Sequence, residues 1–140
     1  MKTAVRSLVP FVACAVLGMV PPPVRAQGAE LAASYVDAQQ LGRQDESDPQ
    51  TLAYHREVLL PEFSGRYRAL LRDCQAPLPE PDRTPFSFVA AIGDDGRVLR
   101  LWSDRSAPVY PCLRGRLLFE RFSPPPRAPF YLYIHVRFAQ

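Results

Sequence analysis

Hydrophobic and polar residues recur first at a helical period and then at a strand period, and the switch divides the chain. Leu31, Tyr35, Ala38 and Leu41 stand at helical spacing, and Gly42 closes them, which predicts a short helix between Gln27 and Gly42 with a glycine at its C-terminal end. Ser47-Asp48-Pro49-Gln50 reads as a second helix start, with Ser47 as cap, proline in the first turn and glutamine three residues after the cap. Beyond it Leu52, Leu59, Phe63, Tyr67, Leu70 and Cys74 fall mostly three or four apart, one core-facing stripe reaching about Asp73. Pro61 interrupts that stripe. It removes a hydrogen bond and crowds the preceding turn, so a kink or a restart is expected there. Pro77, Pro79, Pro81 and Pro85 then predict an extended connector from Gln75 to Pro85.

From Phe86 the period becomes two. Phe86, Phe88, Ala90 and Ile92 alternate with Ser87, Val89 and Ala91, Gly93-Asp94-Asp95-Gly96 supplies a turn, and Arg97 to Ser103 returns, so a β-hairpin is expected. A helix is expected from Ser106 to Phe122, with Val109, Cys112 or Leu113, Leu117 and Phe119 on its inner side and Pro111 in its first turn. Ser123-Pro124-Pro125-Pro126 ends it. In the last segment Phe130, Leu132, Ile134, Val136 and Phe138 take one face, and Tyr131, Tyr133, His135 and Arg137 take the other. The fold class these elements predict is α+β: an antiparallel three-stranded sheet, hairpin plus C-terminal strand, packed on one face by two or more helices. Trp102 is either a core aromatic or an exposed contact, because a β-bulge after the turn would mix the registers of its strand.

The N-terminus changes the picture of charge and compartment. Lys2 and Arg6 precede the apolar run Ser7 to Val20, and Val24-Arg25-Ala26 ends in a small residue, the pattern of a cleaved export signal covering 1–26 with Gln27 as the mature start. A retained anchor would need about 20 apolar residues, and Pro10 and Gly18 interrupt this run. No retained membrane span is therefore expected. The chain carries 17 Lys+Arg against 14 Asp+Glu. Lys2, Arg6 and Arg25 account for the whole surplus, so the remainder is electrically balanced and nucleic acid is not an expected partner.

Cys14 leaves with the signal, and Cys74 and Cys112 remain as an even pair in an exported chain, which predicts a disulfide. Closing the loop from 75 to 111 would stabilise the fold by roughly 4 kcal/mol on the chain-entropy account. The pair lacks the Cys-x-x-Cys spacing of a redox site. His55 and His135 share no metal-ligand spacing, Asp94 and Asp95 are ordinary turn residues, and neither a nucleophile elbow nor a phosphate loop is present. The expectation is a protein without metal, cofactor or catalysis.

One resemblance adds to this. Ile92-Gly93-Asp94-Asp95-Gly96-Arg97-Val98 at the hairpin, Cys112-Leu113 in the following helix, Phe119-Glu120-Arg121-Phe122-Ser123-Pro124 at its end and the alternating last strand resemble the TonB C-terminal domain superfamily. The nearest likeness is to its small cysteine-bearing relatives related to gliding-motility and adventurous-motility proteins. It covers Phe88 to Phe138. The resemblance implies a periplasmic module that binds envelope proteins by adding a strand and catalyses nothing. A TonB-type energy transducer keeps an uncleaved membrane helix and a long Pro-rich spacer, and this chain has neither pattern.

The sequence therefore divides into a signal at 1–26, a helical segment and connector at 27–81, and a TonB-like α+β domain at 82–140. The expected partner is an envelope or outer-membrane protein, met through the edge of the last strand or through Tyr131, Tyr133, His135 and Arg137, since tyrosine and arginine dominate binding hot spots. A small secreted inhibitor or immunity-type protein is the competing reading.

Overall fold

The computed structural model describes residues 30–138; the expected signal and its cleavage point lie outside them. The chain is α+β, with a three-stranded antiparallel sheet in the order β2-β1-β3. Strand β1 spans Phe86–Ile92, β2 spans Val98–Ser103 and β3 spans Phe130–Val136. β1 is buried at every position, as a central strand with both faces covered must be. The hairpin turns on Gly96, whose φ of +82° favours glycine, and the pairing shifts register between Ala91 and Ile92.

The helices cover both faces. Helix α1 (Tyr35–Ser47) lies across the sheet, closest to β3. On the opposite face sit a π-helical segment (Tyr54–Leu59), α2 (Leu60–Gln75) and α3 (Tyr110–Leu117). That face carries the larger core, in which Leu59, Phe63, Phe86, Phe88, Ile92, Leu113, Leu117, Phe130 and Leu132 pack together. Cys74 and Cys112 form the expected disulfide, their Cα atoms 5.6 Å apart, joining the end of α2 to α3. The smaller core, beneath α1, contains Ala38, Val89, Ala91, Trp102 and Tyr131. Trp102 is thus a core aromatic.

Several boundaries differ from those expected, each for a local reason. Helix α1 begins after Ser34, which exchanges hydrogen bonds with Asp37 in a capping box, and it runs through Gly42 to Ser47. Gly42 is an approach point and not a cap: a Cβ there would lie 3.0 Å from Tyr133 Cβ and 3.3 Å from the Tyr131 carbonyl oxygen. The next helical turn is capped by Asp48, whose Oδ1 accepts from the Gln50 N–H at 2.8 Å, while the Ser47 hydroxyl turns back to the Arg43 carbonyl. Pro61 falls in the first turn of α2, immediately after the π-helical segment. The ladder there widens so that the Leu60 N–H donates to the His55 carbonyl, and the proline, which has no N–H, follows without a clash. Helix α3 is shorter than Ser106 to Phe122, and Phe119, expected on its inner side, lies beyond the end and is 93% exposed.

Candidate functional site

Strand β3 keeps one face as expected. Phe130, Leu132 and Val136 are buried in the larger core, with Ile134 and Phe138 packed against it. Its other face is not a solvated platform. Tyr131 is buried under α1, its ring 5.9 Å from that of Trp102, and its hydroxyl accepts from the Ala32 N–H at 3.1 Å. Tyr133 is half-buried, with the Arg43 guanidinium 5.7 Å from its ring centroid. Only His135 and Arg137 of the four expected contact residues are exposed. The alternation was correct and the assignment of that face to solvent was not, because α1 buries it through the small residues Ala38 and Gly42.

The same helix also covers the Tyr131 end of the outer edge of β3. The register pairs Phe86, Phe88, Ala90 and Ile92 of β1 with Val136, Ile134, Leu132 and Phe130, and alternation aims the N–H groups of Tyr131, Tyr133 and His135 away from β1. The Tyr131 N–H donates to Asp45 Oδ2 at 2.8 Å, and Asp45 Oδ1 also receives Arg127 Nη2 at 2.7 Å. Burial raises the Glu46 pKa, with Arg43 and the Tyr133 backbone opposing the rise. Arg127 also pairs with Asp48 at 2.9 Å, which fastens the loop before β3 to the end of α1.

The outer edge of β2 has no such cover. Asp104 N donates to the Ser87 carbonyl at 3.1 Å, and Val89 and Ala91 pair with Trp102 and Arg100, so the backbone groups of Leu101 and Ser103 point away from β1. No strand lies beyond them among the described residues. Leu99 on this strand is 48% exposed, and the Arg100 guanidinium lies 5.1 Å from the Trp102 ring centroid.

One side-chain pair had no signal in either segment alone. Ser87 Oγ and His135 Nδ1 are 2.7 Å apart, because β1 and β3 set these residues directly opposite each other. The pair is placed to exchange a proton, but Ser87 is buried, its Oγ also accepts from the Tyr133 hydroxyl, and its N–H is donated to Asp104 Oδ1. Those contacts make it a cross-strand hydrogen bond of the sheet. The other interior carboxylates are similarly committed. Asp82 accepts from Thr84 and Val109 N–H, and although burial opposes it, these donors hold its carboxyl below the ordinary value. Glu62 is held low chiefly by the Ser123 hydroxyl and backbone N–H. Among the described residues no three His, Cys, Asp or Glu side chains converge as a metal-ligand group, and no helix is long and apolar enough to cross a membrane. No family model, curated protein or solved structure matches the chain.

Proposed function

We propose that the chain is an exported, non-catalytic protein-binding module that takes up a strand from an envelope protein, and that the added strand pairs with β2. The observation that carries this reading is the difference between the two sheet edges: α1 covers the β3 edge, where Asp45 accepts from the outward Tyr131 N–H, whereas Leu101 and Ser103 present outward backbone groups at the β2 edge. Backbone pairing would supply affinity, and Leu99 and Arg100 would supply side-chain selection. The commitment of Asp45, Asp82 and Glu62 to structural N–H groups supports binding over catalysis. The disulfide supports an oxidising compartment, and the periplasm is the one that agrees with the TonB-like motifs of the hairpin and last strand.

Site-specific photo-crosslinking in the exporting cell tests the assignment. A photoreactive phenylalanine analogue replacing Leu99 should crosslink to one envelope protein, and the same analogue replacing Arg137 should not. Ser103→Pro, which deletes an outward N–H, should weaken capture of that protein at least tenfold, or about 1.4 kcal/mol. Crosslinking from position 137 alone, or capture indifferent to Ser103→Pro, would overturn the proposal.

A further inference from the structure

Phe119 is the most exposed of the large apolar side chains among the described residues, yet the backbone that carries it is fastened on both sides. On the N-terminal side, Leu118, Phe119 and Glu120 donate their N–H groups to Arg114, Arg116 and Leu117 carbonyls at 3.2, 3.1 and 3.1 Å. On the C-terminal side, Phe122 N–H donates to the Gly96 carbonyl at 2.9 Å, and Arg121 bridges to Arg97 of the hairpin. Arg66 on α2 holds Glu120 Oε2 at 3.0 Å and also donates to the Arg121 carbonyl, and Glu62 accepts from Ser123 N–H at 2.9 Å. An exposed phenylalanine forgoes the favourable transfer of its ring out of water. On a segment held this firmly, a partner that covers the ring has little further ordering cost to meet.

The surroundings specify the partner's charge. Arg97 and Arg121 line the same shallow depression as Phe119, and Arg116, whose carbonyl accepts from the Phe119 N–H, is exposed on the preceding turn. Asp95 is shared between Arg97 at 3.1 Å and Arg121 at 3.4 Å, Glu120 is engaged by Arg66, and among the described residues no ion pair engages Arg116. The rim therefore holds more cations than carboxylates. A bilayer is the lesser fit, because one ring beside a half-buried Leu118 offers far less apolar surface than stable membrane anchoring takes.

We propose that Phe119 anchors a second protein-binding surface, separate from β2, whose partner is an acidic segment that closes apolar side chains over the ring and sets carboxylates on Arg97, Arg116 and Arg121. The proposal does not depend on strand addition. Selection of a phage-displayed random peptide library on the protein, with counter-selection on Phe119→Ser, tests it. Enriched peptides should carry aspartate or glutamate around apolar residues, bind Phe119→Ser and the Arg97→Gln/Arg116→Gln/Arg121→Gln variant at least tenfold more weakly, and weaken with added salt. The melting temperature of Phe119→Ser should match that of the parent, since its side chain touches little. Failure to enrich, enrichment of neutral or basic peptides only, or acidic peptides that bind Phe119→Ser equally well would overturn the proposal. Phe119-dependent binding to phosphatidylglycerol vesicles without any acidic peptide would also overturn it, assigning the surface to a membrane.

Discussion

At one edge of the sheet the outward Tyr131 N–H meets a carboxylate 2.8 Å away, whereas at the other edge Leu101 and Ser103 face outward from a strand with no neighbour beyond it among the described residues. The first edge is closed by a helix that also covers the adjacent face, so one element does two jobs through a single stripe of Ala38, Gly42 and Asp45. Small residues let α1 approach β3, and the carboxylate at the end of the stripe reaches round to the backbone. The second edge relies on a register shift near the turn and one charge, Arg100, devices that discourage indiscriminate pairing without filling the hydrogen-bond positions. Under the proposed strand addition, this contrast leaves β2 as the side at which an incoming strand would pair.

Removing the seal gives the largest expected effect. Asp45→Ala leaves the buried Tyr131 N–H unpaired and releases Arg127, at a cost of about 3 kcal/mol in urea unfolding. A loss below about 1 kcal/mol would mean that Asp45 does not hold the edge. Gly42→Ala probes the approach. Its Cβ would press on Tyr133 Cβ and the Tyr131 carbonyl, so about 2 kcal/mol should be lost by the same measurement, and a neutral result would contradict the close contact.

His55 gives the smallest effect, and its sign is reversed. It is buried, its ring lies 6.0 Å from that of Phe130 at the start of β3, and neither ring nitrogen has a hydrogen-bond partner among the described residues. Burial, with Arg56 adding to it, holds the imidazole pKa below 6.5, so the unfolded chain takes up the proton first. The cost of protonating the buried ring is absent well above pH 6.5 and grows as pH falls through 6.5 towards the lower native value, whereas the cost of its unpaired nitrogens is present at pH 7. His55→Leu should therefore add about 1 kcal/mol at pH 7 and remove the His55 part of the decline between pH 7 and 5. An unchanged pH profile in the variant would contradict this account of the buried ring.

The hairpin, the last strand and the disulfide were legible because their signals are local: alternation over six or seven residues, a glycine turn, and an even cysteine count. The second layer was not. The buried stripe of α1 consists of alanine, glycine and aspartate, while Val36 on the same helix is 67% exposed, so its inward side does not read as apolar. Gly42 looked like an end and is a contact. Alternation sets Tyr131 on the face opposite the core residues of its strand, yet its hydroxyl meets the Ala32 N–H inside the fold. Phe119 was counted with the helix although it stands only two residues after Leu117, a step that already breaks the helical period. The Ser87–His135 contact required the register of two strands separated by most of the domain.

Backbone amide exchange in the free protein, resolved residue by residue by NMR, tests the difference between the edges most directly. The account predicts that Tyr131 N–H is strongly protected while Leu101 and Ser103 N–H exchange near the rate of an unstructured chain. Free exchange at Tyr131, or strong protection at Leu101 and Ser103 without any partner, would contradict it.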